Sequence, residues 1–148
     1  MVWLNRARLL LTALWAGSLC TVGYLVAPTA FAYFFDSVLA GNIAGLMFRV
    51  EGWVSLAMGV LMLLLATPVA PARRKWLWGL TGGILLCTAV ILFVLTPQIQ
   101  ALREQAGILG VMASGAREQF RMLHGMSSAL WMVESLLALV LVVKNAEA

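Results

Sequence analysis

Four residues with side chains suited to chemistry lie near the starts of two apolar stretches. Arg49 and Glu51 stand near the start of one stretch, and Arg121 and His124 precede another. Because residues spaced i, i+3 share one face of a helix, Arg121 and His124 are expected to point the same way. Histidine ligates metal or haem and exchanges protons near neutral pH, so His124 is a candidate for each role. The structural alternative pairs arginine with glutamate and bonds His124 to nearby backbone.

Glu134 is a separate case, because it stands near the middle of the last apolar stretch, about 125–143. An ionisable group at such a depth is costly and usually faces a bundle interior, a partner or a wet cavity. Glu134 must therefore be protonated, paired or turned toward a partner chain. We expect it either to carry protons or to hydrogen-bond another helix, with Ser55, Thr88 and Ser135 as candidate neighbours.

No catalytic constellation accompanies these residues. The sequence has no GxSxG, Walker loop, HExxH, CxxC or dinucleotide fingerprint. A single histidine without paired cysteines makes a poor metal site, and Cys20 and Cys87 stand apart within apolar runs. Bis-histidine haem ligation within one chain is excluded, because the chain has 1 His. We therefore expect no enzyme activity, no bound metal and no cofactor.

The composition indicates which solvent surrounds most of the chain. Hydrophobic residues make up 63% of the 148 residues and charged residues 11%, against about 25% charged in a typical soluble domain. A small soluble fold cannot bury so much apolar surface. The formal charge of +4 comes from scattered short clusters, without the basic stripe of a nucleic-acid binder. The expected partner is therefore the lipid bilayer and not a nucleic acid.

Four apolar stretches approach the length of about 20 residues that a helix needs to cross a bilayer. Helices are expected because unpaired backbone groups are too costly in lipid. The predicted helices span about 9–35, 44–66, 76–95 and 125–143, with a broken helical or interfacial connection over about 98–121. The first stretch is longer than a signal-peptide core, so we expect it to be retained as a helix. The predicted fold is an all-α integral membrane four-helix bundle, forming a single domain over 1–148.

Basic residues in the short connections predict the orientation of this bundle. Most of them lie before the first helix, between the second and third, or after the fourth: Arg6, Arg8, Arg73, Arg74, Lys75 and Lys144. The positive-inside rule then places both termini in the cytoplasm, in what we expect to be a bacterial inner membrane. The charged starts of the second and fourth helices would form a polar vestibule on the outer side.

Small residues indicate how the helices pack. Gly45, Gly52 and Gly59 recur every seven residues on the second helix, and Gly79 and Gly83 form a GxxxG on the third. Glycines let helix backbones approach closely, where van der Waals contact replaces the hydrophobic force that lipid does not supply. The pattern fits packing within the bundle or contact with another chain, and we favour packing within the bundle.

Several segments taken together resemble a known family. They are GSLCTVGYLVAPTAFA (17–32), AGNIAGLMFRVEGW (40–53), LTPQI (95–99) and FRMLHGMSSALWMVE (120–134). Their order resembles the family called domain of unknown function 4149, and is similar to the wider group of small CopD-like four-helix membrane proteins. The resemblance implies a compact bundle with a polar cluster at Arg49, Glu51, Arg121 and His124. It implies no activity, and the wider group's copper and haem associations involve more histidines than this chain has.

Two classes of function are compatible with these features. The first is a small non-enzymatic accessory or structural subunit that packs against a larger inner-membrane complex or a second copy of the chain. The second is a small transporter, or a copper- or haem-handling protein, that uses the outer polar vestibule. We favour the first, because the predicted helices leave almost no extramembrane mass and are rich in small and aromatic residues.

Overall fold

Four long helices make up the computed structural model, which describes residues 2–147. Helix α1 spans Val2–Tyr33, α2 spans Ser37–Leu65, α3 spans Pro71–Leu109 and α4 spans Arg117–Ala146. All four are long and apolar enough to cross a membrane, and the described residues contain no strand. The chain is therefore an all-α integral membrane four-helix bundle, which confirms the predicted fold class.

The helices alternate in direction and form a closed ring, in which each packs on the next and α4 packs on α1. The connection 66–70 lies at the same end as the two termini, where Arg73 donates to the carbonyl of Lys144 at 2.8 Å. We call this the terminal end of the bundle. The connections 34–36 and 110–116 lie at the opposite end, which we call the distal end.

Short π-helical segments interrupt α1 and α3 just before a proline. Val22–Val26 precedes Pro28, and Val90–Leu95 precedes Pro97. Proline lacks an N–H donor, and its ring collides with the carbonyl four residues earlier, so a regular α-helical turn is disrupted. A wider π turn takes up one extra residue and lets the helix continue. Helix α3 therefore runs well past its predicted end at about residue 95.

Helix α2 begins earlier than the apolar pattern predicted, because a polar residue caps it. Asp36 stands in an extended conformation just before the helix, and its Oδ1 accepts from the backbone N–H of Val38 at 2.8 Å. Oδ1 also accepts from Leu39 at 3.3 Å. These bonds satisfy donors that the first turn of a helix leaves unpaired. The cap adds almost two turns before residue 44, where the predicted helix began.

The segment that leads into the distal connection is helical from Thr96 to Ala106 and then breaks into two short 3₁₀ turns, Gly107–Leu109 and Val111–Ala113. Ile99 and Leu102 in this segment are buried, whereas Leu109 is 82% exposed. Gly107 and Gly110 have φ of 58° and 76°, which other residues rarely adopt. The two glycines therefore end the regular helix and turn the chain toward α4.

Most of the predicted packing glycines lie between helices of this bundle. A Cβ added at Gly52 or at Gly83 would lie 3.2 Å from a leucine carbon on the facing helix, and one at Gly59 would collide with another leucine. Gly45 faces an arginine instead. Gly79 has no neighbouring atom within 4 Å, so it contributes no such contact. The small residues of α2 thus serve internal packing, and only half of the GxxxG on α3 does.

Candidate functional site

Two glutamates lie in the core of the bundle, at 5% exposure for Glu51 and 1% for Glu134. The hydroxyl of Ser18 donates to Glu51 Oε1 at 2.8 Å, and the hydroxyl of Thr88 donates to Glu134 Oε1 at 2.5 Å. Glu134 Oε2 is buried and has no hydrogen-bond partner among the described residues. Each helix thus supplies one polar side chain to this part of the core.

A buried tryptophan and a buried serine extend this set. Trp15 Nε1 donates to Ser55 Oγ at 2.9 Å, and both side chains are fully buried. Ser55 lies one turn beyond Glu51 on α2, and both residues lie close to Glu134. We call the whole set the core polar layer, and its members are Trp15, Ser18, Glu51, Ser55, Thr88 and Glu134.

The core polar layer contains no cation. Within residues 2–147 the ion pairs are Arg121 with Glu118 and Lys144 with Glu147, and both are exposed. Burying a carboxylate without an opposite charge is very costly, so such groups are usually neutralised. We therefore expect the carboxyl groups of Glu51 and Glu134 to be protonated or to pair with a cation that does not come from residues 2–147.

The structure does not bring together the cluster that the sequence predicted at Arg49, Glu51, Arg121 and His124. Residues two positions apart on a helix do not share a face, so Glu51 points into the core while Arg49 is exposed. Arg121 is exposed and lies 3.6 Å from Glu118 on its own helix. The expected pairing of Glu51 with either arginine is thus replaced by its hydrogen bond to a serine.

His124 lies at the distal end, next to an arginine that the predicted cluster left out. The ring of His124 stacks on that of Phe120, with centroids 5.7 Å apart and planes 3° apart. The guanidinium carbon of Arg103 lies 5.6 Å from the centroid of the same phenylalanine ring. A Cβ added at Gly45 would lie 2.6 Å from Arg103 Nη1, so this glycine leaves the space that the guanidinium occupies.

Two cavities meet at Arg103 and His124, and both residues line each of them together with Phe31. One cavity, of about 310 Å³, lies among all four helices, and we call it the bundle cavity. The other, of about 610 Å³, lies beneath residues 107–113, and we call it the connection cavity. Among residues 2–147 no Asp or Glu lines either cavity, so their electrostatic character is set by the arginine and the histidine.

Aromatic and aliphatic side chains form most of the wall of the bundle cavity. They are Tyr24, Phe31, Phe48, Ile91, Ile99 and Trp131. A few polar side chains, among them Gln100, Ser127 and Ser128, interrupt this apolar wall. A mainly apolar cavity with a few convergent polar groups is typical of small-molecule sites.

Trp131 is a buried part of this wall, on the side that faces the core polar layer. Its indole N–H donates to the carbonyl of Leu19 at 3.3 Å, and its ring meets Phe48 edge-on at 4.6 Å. A Cβ added at Gly23, within the π segment of α1, would collide with the indole. Glu134 follows one turn later on α4 and bonds Thr88, so the cavity and the core polar layer are adjacent.

The sequence contained a pattern that places Arg103 on the buried face of α3, but the predicted helix ended before it reached this residue. Residues 91, 95, 99 and 103 are spaced by four, which places them along one face of a continuous helix. The first three are buried isoleucines and leucine, so the same face leads directly to Arg103. The predicted third helix ended at about residue 95 and left residue 103 to the broken helical or interfacial connection over about 98–121, so this face was not followed as far as Arg103.

Metal-ligating side chains do not cluster in the described part of the chain. No group of three or more His, Cys, Asp or Glu residues there lies close enough to hold a metal ion. Cys20 and Cys87 are free and half-buried. His124 instead has an aromatic ring and a guanidinium as its neighbours.

Comparison with known proteins gives a family and no activity. The model of the family described as Domain of unknown function (DUF4149) matches residues 10–108, which include α2 and nearly all of α3. No curated protein and no solved structure matches the chain. The similarity to CopD-like proteins stays a prediction. Since the family model matches more than half of the sequence, the chain belongs to the family of domain of unknown function 4149.

Proposed function

We propose that this protein is a small transporter or carrier whose bundle cavity holds a molecule at the distal end. The observation that carries the proposal is the position of Arg103. Its half-buried guanidinium borders both cavities, and no carboxylate among the described residues pairs with it. A cation taken partly out of water needs a compensating group. A bound molecule would supply that group.

The construction of the cavity wall supports the same proposal. All four helices contribute to it, and both π-helical segments border it. Single π turns within α-helices are frequent at functional sites, because they turn side chains away from the regular pattern. The volume of about 310 Å³ falls at the small end of the range of about 300–1,000 Å³ for ligand pockets. We therefore favour a small ligand.

The adjacent core polar layer favours transport over simple binding. Glu134 lies one turn beyond Trp131, and its Oε2 is free of hydrogen bonds within residues 2–147. A proton on this carboxyl would lie one helical turn from a molecule in the cavity. Proton and ligand occupancy would then influence each other, as in a proton-coupled transporter.

The proposed location follows from charge. The terminal end carries most of the basic residues, so the positive-inside rule places it in the cytoplasm and the distal end outside. The bundle cavity would then open to the outer side of a bacterial inner membrane. A molecule would enter from the periplasm or from the outer leaflet.

An accessory role in a larger membrane complex, or in a homo-oligomer, is the second candidate. The observation that favours it is on α3, where Gly79 and Gly82 are exposed and have no neighbouring atom within 4 Å. Such exposed small residues let a helix of another chain approach closely. This surface lies toward the terminal end, away from the bundle cavity, so the two candidates rest on different parts of the molecule.

Native mass spectrometry of the protein purified in a mild detergent tests the proposal. Ser128 and its neighbour Ala129 are both exposed, but Ser128 lines the bundle cavity and Ala129 lines neither cavity. We expect the wild type and Ala129→Phe to retain a small molecule, and Ser128→Phe to lose it because the phenyl ring occupies the cavity. Identical adducts in all three proteins would contradict the proposal. A stoichiometric partner protein without any small molecule would support the accessory role instead.

A further inference from the structure

We propose that the bundle cavity binds an organic monoanion, whose carboxylate or phosphate head pairs with Arg103 and whose apolar body lies among the aromatic side chains. This inference rests on the proposed function and adds the chemical class of the ligand. It draws on three features of the cavity: the position of the guanidinium, the uncompensated charge of the walls, and the apolar space beside them.

The guanidinium lies between small residues of α2 and an aromatic ring of α4. A Cβ added at Gly41 would lie 3.7 Å from Nη2 and one at Gly45 would lie 2.6 Å from Nη1, so the group lies against the backbone of α2. Phe120 lies on another side, 5.6 Å from the guanidinium carbon. A guanidinium presents its donors in a planar fork that matches the two oxygens of a carboxylate or phosphate.

The charge of the cavity walls selects the sign of the ligand. Arg103 and His124 are the basic residues that line the bundle cavity, and no Asp or Glu of the described part of the chain lines it or the connection cavity. A cationic ligand would be repelled, and a neutral ligand would leave the guanidinium without an opposite charge. An anion supplies the missing charge and accepts from the donors that face the cavity.

The apolar space accommodates the rest of the molecule. Phe48 and Trp131 meet edge-on on the inner side of the bundle cavity, so a flat apolar group would pack against them. Tyr24 and Phe31 line the cavity from α1, yet they are 53% and 52% exposed and reach the lipid-facing surface. An acyl chain longer than the cavity could therefore leave between these two rings into the bilayer.

A ligand with such an anionic head can come either from the bilayer or from water. A fatty acid or a lipid phosphate would enter from the outer leaflet, whereas an aromatic acid would enter from water. Ser127, Ser128 and Gln100 can donate to further oxygens of either kind of head. The shared feature is a single anionic head on an apolar body, and the experiment separates the two sources.

Photo-crosslinking of the full chain in phosphatidylcholine nanodiscs tests the inference. The probes are a diazirine-bearing palmitate, a diazirine-bearing benzoate and the methyl ester of each, which keeps the apolar body but removes the charge. We expect at least one acid to label residues of the cavity wall, such as Tyr24 or Trp131. Its ester should label them about tenfold less, since losing one charged hydrogen-bonding contact lowers affinity by about that factor. Labelling by palmitate identifies a bilayer source, and labelling by benzoate identifies a soluble one.

Variants of Arg103 and Arg121 identify the side chain that binds the negative charge of the ligand. Arg103→Gln should reduce labelling by the acid about tenfold, and Arg103→Lys should retain part of it because the charge remains. Arg121→Gln is the matched control, because Arg121 is exposed and lines neither of the two cavities. Equal labelling by acid and ester would overturn the inference. So would equal labelling of wild type and Arg103→Gln, provided that the variant keeps the wild-type melting temperature.

Ser128→Phe distinguishes failure of this inference from failure of the proposed function. If Ser128→Phe abolishes retention of the endogenous molecule while the arginine variants and the esters show no effect, the cavity binds a ligand that is not an anion. If Ser128→Phe also leaves retention and labelling unchanged, the cavity is not a binding site and both proposals fall.

Discussion

Thr88 and Glu134 are joined across α3 and α4 by a hydrogen bond of 2.5 Å in the middle of the bundle. Both side chains are almost completely buried, at 2% and 1% exposure. The second carboxyl oxygen of Glu134 has no partner among the described residues. The hydroxyl of Thr88 is therefore the observed contact that holds this carboxyl, and through it the two helices are tied together beside the bundle cavity.

Replacing this threonine should destabilise the protein. Thr88→Val keeps the shape of the side chain but removes the hydrogen bond to Glu134 Oε1 in the buried core, which costs about 1–3 kcal/mol. Thr81→Val is the matched control on the same helix, because Thr81 Oγ1 is buried and has no partner within residues 2–147. Removing an unsatisfied hydroxyl should be neutral or stabilising. Thermal unfolding in detergent measures both, and equal melting temperatures for the two variants would contradict this assignment.

The glycines of α2 and α3 should respond differently to an added methyl group. Gly59→Ala places a Cβ against the Leu85 side chain at the α2–α3 contact, so that side chain or the two helices must shift, at a cost of about 1–3 kcal/mol. Gly79→Ala meets no atom within 4 Å and should leave stability unchanged or slightly raised. Unfolding of both variants in the same detergent makes the comparison. A larger loss at Gly79 would indicate that this surface is covered by another chain.

The exposed arginines at the distal end should contribute little to stability. Arg121 pairs with Glu118 on its own helix, and their side chains are 59% and 81% exposed. Exposed pairs of this kind are worth about 0–1 kcal/mol. Arg121→Gln and Arg49→Gln should therefore leave the melting temperature close to that of the wild type. A fall in melting temperature as large as that of Thr88→Val would instead support the predicted pairing of Arg121 or Arg49 with Glu51.

The fold was predictable because it depends on segment length and hydrophobicity. Four apolar stretches of membrane-crossing length determine the number of helices, and a helix satisfies its backbone hydrogen bonds within its own segment, as lipid requires. The helix ends were less predictable. The cap at Asp36 and the π turns before Pro28 and Pro97 depend on local hydrogen bonding, which hydrophobicity does not report.

The site was less predictable than the fold, because it depends on which way single side chains turn. Glu51 and Glu134 were recognised from the cost of placing charge in lipid, and both are buried. Their partners Ser18 and Thr88 were not determined by spacing, because each lies on another helix. Arg103 fell within the predicted outer connection over about 98–121, because the apolar pattern of the third helix ended at about residue 95.

Labelling of introduced cysteines should establish the orientation in the membrane. Gly115→Cys lies in the distal connection and Ala72→Cys at the terminal end, in a background where Cys20 and Cys87 are replaced by alanine. The positive-inside rule predicts that a membrane-impermeant maleimide labels residue 115 in intact cells and labels residue 72 only after lysis. The reverse pattern would place the bundle cavity on the cytoplasmic side.

An experimental structure of the protein purified from its own membrane would test the proposed ligand site most directly. We predict density for a bound molecule in the bundle cavity, in contact with the Arg103 guanidinium and packed against Trp131. The side chain of Arg103 should remain against Gly45, as it is here. A cavity closed by its own side chains, with Arg103 turned away to pair with an acidic residue, would contradict the account.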